Sequence, residues 1–220
     1  MIQRQHRVFQ GEAGDIDAII DWPQGDVRGW ALVLHPHPQQ GGTRENKVVT
    51  TIARACVQEG LVAVRPNFRG VGASAGNFDN GVGETADMLA LVEQFRRTWP
   101  QVAAGCWVLG GFSFGTSVAA QLYSTLAERE SLQASAVILA GPAVERFRFR
   151  EVRLPDDVLL IHGEQDEVVP LAETMDYARK HDFPVVVIPD ATHFFHGKLI
   201  ALRGLVALRL KSCLAAGSSL

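Results

Sequence analysis

Cysteine is scarce in this 220-residue chain: there are three, Cys56, Cys106 and Cys213. They are widely spaced, odd in number and form no C-x-x-C pair, as fits a cytoplasmic protein. Cys106 falls in a strand-like run and the other two in helix-like runs, so all three read as buried free thiols. A basic excess is missing too. The formal net charge is -3, which leaves no basic stripe for nucleic acid. No stretch approaches the roughly 18 uncharged apolar residues of a membrane span. The opening "MIQRQHRVFQGEAGD" has neither the apolar core nor the small-residue cleavage pattern of a secretory signal. Repeats, low-complexity tracts and linkers are lacking. These absences predict a cytoplasmic protein with one domain over residues 1–220. The 47% hydrophobic content is enough for a large single core.

What is there is alternation. "QHRVFQGE" and "DIDAIIDW" are short β-rich runs around a Gly-containing turn, and "GWALVLH" (29–35) has the length of a buried strand. Helical periodicity then covers 45–58, with Val48, Ile52, Ala55 and Cys56 on one face and Gly60 as the stop. Strands follow at 61–68, 105–112, 134–141, 157–163 and 184–189. Helices are predicted at 83–99, 114–130, 171–181 and near 197–214, with the terminal "AAGSSL" frayed. Apolar strands alternating with amphipathic helices predict an α/β fold: a mostly parallel sheet, helices on both faces, and a mixed edge from the early strands.

One junction carries chemistry. "GFSFG" places Ser113 between Gly111 and Gly115 where a strand stops and a helix starts. A serine there projects above the sheet only through a sharp turn, and the two glycines let strand and helix approach around it. The same turn puts the Phe114 N–H at a helix start, where it can donate to a developing oxyanion. A plain β-α turn with a serine cap is the alternative.

A serine hydroxyl needs a base, and the base needs an orienting carboxylate. His6 and His181 fall on surface elements. His35 and His162 lie near the ends of buried strands and read as structural. His193 follows "VVVIPDA" by a short loop at a strand's carboxyl end, where catalytic loops gather. His37 and His196 are the alternatives. "HGEQDEVVP" offers Glu164, Asp166 and Glu167; Asp166 is favoured because it sits three residues beyond Gly163 and four before Pro170, on a short rigid loop. A second oxyanion donor is expected in "HPHPQQGGT". Pro36 and Pro38 have no N–H, so early in that loop only His37 can donate from its backbone.

Together "LHPHPQQGGT", "NFRGVGAS", "GFSFG", "HGEQDEVVP" and "ATHFF" resemble a small lidless serine α/β-hydrolase of the dienelactone-hydrolase-like, serine esterase kind. The resemblance spans residues 34–195. It implies an α/β-hydrolase fold with a central sheet of seven or eight strands and no lid domain. It implies Ser113 as nucleophile, Asp166 as acid and His193 as base, with Phe114 and His37 N–H groups as the oxyanion hole. The implied activity is hydrolysis of a small-molecule carboxylic ester without cofactor or metal. Dienelactone hydrolases use cysteine, so their substrate is not implied here, and His35-Pro36 stands where the family has His-Gly.

Thioester or small-peptide hydrolysis would use the same three residues. A non-catalytic binding protein on the same fold is a further alternative. "RGVGASAGNF" hints at a dinucleotide fingerprint, but that fingerprint needs a helix to open at once. Residues 142–156 are too few for a helical cap. If that segment is extended, Phe147 and Phe149 point one way and Arg146, Arg148 and Arg150 the other. It would then be an acyl-binding or anionic-substrate wall, or an edge with solvated arginines.

Overall fold

The computed structural model describes residues 3–129 and 133–216. Among these, eight strands form one sheet: β1 (Gln3–Gly11), β2 (Gly14–Trp22), β3 (Gly29–Leu34), β4 (Leu61–Pro66), β5 (Cys106–Phe112), β6 (Ala136–Ala140), β7 (Leu159–Gly163) and β8 (Val185–Ile188). Their spatial order is β1-β2-β4-β3-β5-β6-β7-β8. The β1–β2 hairpin and the β2–β4 pair are antiparallel; every pair from β4 to β8 is parallel. The predicted mixed edge is therefore present. Six helices accompany the strands: α1 (Lys47–Gln58), α2 (Val82–Thr98), α3 (Pro100–Ala103), α4 (Phe114–Ala127), α5 (Leu171–His181) and α6 (Leu199–Ala216).

The central strands are buried on both faces, so their apolar runs are continuous, yet side chains still alternate. Trp30, Leu32 and Leu34 of β3 face α2 and α4, in one cluster with Leu91, Phe95, Val118 and Leu122. Ala31 and Val33 face the other way, toward Val48 and Ile52 of α1 and Leu202, Val206 and Leu210 of α6. Trp30 lies between the rings of Phe95, 4.2 Å away, and Trp107, 5.2 Å away, both stacked. Local signals set the helix ends. Asn46 accepts from the Val48 N–H at the start of α1. Glu84 reaches back to the Gly81 N–H at the start of α2, and Arg96 and Arg97 lie in its last turn, matching the helix dipole.

Parallel strands place their carboxyl ends along one edge. The loops after β3, β5, β7 and β8 gather there, and β3, between β4 and β5, marks the point where the winding direction reverses.

The structure departs from the sequence reading in several places. The strand expected at 61–68 stops at Pro66, which has no N–H for the ladder. A short helix, α3, follows Pro100, which suits the first helical position. α4 ends at Ala127, short of the expected 130; Glu130 lies outside the described residues. α6 runs on to Ala216, and 217–220 lie outside them too. The "RGVGASAGNF" segment forms turns, and the next helix opens only at Val82, so the fingerprint geometry is not present. Residues 142–156 hold no cap helix and are not an extended strand. The buried Gln121 side chain donates to the Phe147 carbonyl and accepts from the Phe149 N–H, coiling the segment over α4. Phe147 therefore packs inward while Phe149 is exposed. Arg146, Arg148 and Arg150 pair with Glu173, Glu145 and Glu128, so none is left facing a substrate alone. Cys106 and Cys213, read as separate buried thiols, are half-buried and meet with their sulfurs 3.1 Å apart.

Candidate active site

Ser113 caps α4 at the end of β5 with φ 53 and ψ -123, a backbone region that L-residues avoid at a cost of about 1–3 kcal/mol. The neighbourhood enforces it. The Ser113 N–H donates to the Ala140 carbonyl, and the Ser113 carbonyl accepts from the Thr116 N–H and hydroxyl. The flanking glycines are required by space. A Cβ on Gly115 would lie 2.5 Å from the Leu34 carbonyl oxygen and 2.7 Å from that of His35; one on Gly111 would lie 2.4 Å from the Gly115 oxygen. All of these obstacles are backbone. Gly115→Ala is expected to cost about 1–3 kcal/mol of stability and to lower turnover by displacing the elbow. Denaturant unfolding checks this; an unchanged midpoint would contradict it.

His193 stands on the loop after β8, 2% exposed. Its Nε2 lies 2.9 Å from Ser113 Oγ and its Nδ1 lies 2.7 Å from Asp166 Oδ2. A carboxylate only accepts, so Nδ1 carries the proton and Nε2 is left to accept from the serine hydroxyl. The ring rests on Phe112, with centroids 4.9 Å apart, and passes close over Gly141, where a Cβ would meet its Cε1 at 3.3 Å. Phe195, fully buried with φ 52, anchors the loop in the core. His196, the alternative base, is exposed and outside this line.

Asp166 is fixed from both oxygens. Oδ1 accepts from the Val168 and Val169 N–H groups, at 2.9 and 2.8 Å, and Oδ2 faces His193. Burial works against its ionised form, but the His193 and backbone hydrogen bonds outweigh it and hold the carboxyl below its ordinary value. A folded-state value below the unfolded one means a stabilising contribution that is complete above about pH 4 and lost as the pH falls through the folded value. The stability difference between wild type and Asp166→Asn is therefore expected to shrink below pH 4. Urea midpoints from pH 3 to 7 check this; a constant difference would contradict it.

Glu164 and Glu167, the other candidate acids, serve as straps. Glu164 accepts from the Asp190 N–H and Glu167 from the His193 N–H. Both tie the loop after β7 to the loop after β8. Gly163 allows that contact, since a Cβ there would lie 2.5 Å from the Ala191 oxygen. His162, buried behind Asp166, donates from Nε2 to the Val169 carbonyl, at 2.9 Å, and accepts from the Thr174 hydroxyl at Nδ1. His35 bridges the Pro36 carbonyl and the Phe68 N–H, and burial pushes its pKa down to about 4, so it stays neutral. Both histidines are struts, as expected.

His37 opens a short 3₁₀ turn (Pro38–Gln40), and its carbonyl accepts from the Gln40 and Gly42 N–H groups. Its ring is held among Phe78, Phe114 and Phe147, at 4.6, 5.3 and 5.2 Å, and its Nδ1 accepts from the Gln39 N–H. The ring is thus a packing element turned toward aromatics. Phe78 is not identifiable from sequence, because it comes from an irregular segment. An open pocket joins these parts. It is lined by Ser113 and His193, by Pro36, His37, Gln40, Gly41, Gly42 and Asn46 on one side, and by Val168 and Phe194 on the other. Among the described residues, no three His, Cys, Asp or Glu side chains are grouped to hold a metal ion, and no helix is long and apolar enough to cross a membrane.

Comparison with known proteins agrees with this fold. The sequence model of the Phospholipase/Carboxylesterase family matches residues 75–183. An α/β serine hydrolase homologue from Coxiella burnetii is 37% identical, with 93% of this chain and 96% of that one covered and a TM-score of 0.81. A serine hydrolase without lid from Xanthomonas campestris is 35% identical, with 96% and 94% covered and a TM-score of 0.83. An uncharacterised protein of Rickettsia prowazekii (strain Madrid E) is 33% identical over 86% of this chain and 82% of its own length. With its eight-stranded sheet and no cap helix between β6 and β7, the chain belongs to the lidless α/β serine hydrolases.

Proposed function

We propose that this hydrolase cleaves small carboxylic esters through an acyl-serine intermediate. The observation that carries the proposal is the unbroken line from Asp166 through His193 to Ser113, at 2.7 and 2.9 Å. His193 Nε2 takes the Ser113 proton as Oγ attacks the ester carbonyl. Asp166 keeps the imidazole in the tautomer that can accept and stabilises the cation that forms. His193 then returns the proton to the leaving alcohol, and a water repeats the cycle against the acyl-enzyme.

Two backbone N–H groups would receive the oxyanion: Phe114 and His37. Phe114 opens α4, so its N–H has no partner within that helix. In the facing loop Pro36 and Pro38 have no N–H, and the amides of Gln39, Gln40 and Gly42 are spent on His37 itself, which leaves those of His37 and Gly41; the prolines on either side of His37 hold its N–H in place. That supports His37 as the loop's donor.

The pocket supports a small substrate. Its large apolar side chains, Val168 and Phe194, are exposed at the surface, and Gln40 and Asn46 add polar groups to the lining. A long acyl chain would leave most of its length in water and gain no burial. With p-nitrophenyl esters, kcat/KM is expected to peak at two to four acyl carbons and to fall by about tenfold or more by ten. Thioester and aminoacyl substrates run beside them should be poorer. A preference for long chains, or turnover of thioesters alone, would overturn the reading.

A further inference from the structure

The Cys106–Cys213 contact lies outside everything the ester chemistry uses. Cys106 opens β5, its backbone fixed by pairing with Gly29. Cys213 lies near the end of α6, a helix held on the sheet by Leu202, Val206, Leu210 and Leu214. The two positions are 107 residues apart in sequence, and their sulfurs stand 3.1 Å apart with both side chains half-buried. Two elements locked by their own packing thus hold two thiols within van der Waals contact. A shift of about 1 Å would bring them to disulfide bond length.

We infer that Cys106 and Cys213 form a reversible disulfide, made by exchange with a low-molecular-weight disulfide such as oxidised glutathione. The Cys213 thiolate attacks one glutathione sulfur; that S–S bond breaks and one glutathione leaves as its thiolate. Cys106 gives its proton to solvent and attacks the Cys213 sulfur of the mixed disulfide, releasing the second glutathione. Two protein thiols are oxidised and one glutathione disulfide is reduced to two thiols. Cys213 leads because the neighbouring Cys106 S–H and Arg209, one helical turn earlier, both favour its thiolate, whereas the same contact and burial hold the Cys106 thiol up. Cys56 does not compete: it is fully buried, and burial pushes its thiol up to about 12.

The bond closes the chain between β5 and α6, and so should act on stability. β5 leads from Cys106 toward Ser113 over about 23 Å, so the reactive edge lies at the far end of the strand. Incubating the native protein with oxidised glutathione should lower the free thiol count from three to one and yield a single cross-linked peptide pair containing Cys106 and Cys213. Tm should rise by about 5 °C or more, dithiothreitol should reverse it, and ester turnover should stay within twofold. Cys106→Ser should stop at glutathione on Cys213, with no rise in Tm. Three free thiols after this treatment, or a wild type that also stops at the mixed disulfide, would overturn the inference.

Discussion

Replacing Ser113 by alanine is expected to lower kcat/KM for a short-chain ester by about 10⁴- to 10⁶-fold while the protein remains folded. The loss is large because the proposed acyl-enzyme has no other oxygen to form on: His193 Nε2 would face a methyl group, and catalysis would retain only binding and the oxyanion donors. Folding survives because the backbone bonds that hold position 113, to Ala140 and Thr116, do not involve the hydroxyl. Ser113→Gly separates the two properties further. At φ 53 glycine avoids the strain, so that variant should be equally inactive yet about 1 kcal/mol more stable than Ser113→Ala. Steady-state kinetics and urea unfolding on the three proteins check both statements. Activity in Ser113→Ala above one hundredth of wild type would contradict the first.

Asp166→Asn should lower kcat by about 10⁴-fold at neutral pH, through the tautomer of His193. The argument is one of donors. Asp166 Oδ1 already accepts from the Val168 and Val169 N–H groups. An asparagine must keep its oxygen on that side, since its NH₂ there would face two donors. The NH₂ then points at His193 Nδ1 and can only donate. Nδ1 must become the acceptor, Nε2 carries the proton, and the base has no lone pair for Ser113. The side chains are nearly isosteric, so the fold should be retained. Kinetics from pH 6 to 9 test this, and a loss below tenfold would mean that the carboxylate does not set the tautomer.

Much of this arrangement is legible in the sequence because its signals are local. Gly111-x-Ser113-x-Gly115 marks a tight strand-to-helix turn, and the glycines prove to be demanded by carbonyl oxygens within 2.4 to 2.5 Å. Strand ends announce the loops that carry Asp166 and His193. Even the choice between Asp166 and its acidic neighbours follows from loop length. The strapping by Glu164 and Glu167 is not legible, because it depends on how two loops approach, which Gly163 only permits. The coiling of residues 142–156 is not legible either, because alternation of Phe and Arg looks the same in a strand and in a loop. What decides it is a buried glutamine in another element, Gln121. The Cys106–Cys213 contact requires the register of β5 and the azimuth of α6 together, and no local pattern encodes either.

The most direct test is to treat the purified protein with a fluorophosphonate and map the adduct by peptide mass spectrometry. The account predicts a single stoichiometric adduct on Ser113, absent in Ser113→Ala and slowed by orders of magnitude in His193→Ala and Asp166→Asn. A wild type that stays unmodified, or that labels just as fast without the imidazole, would contradict it.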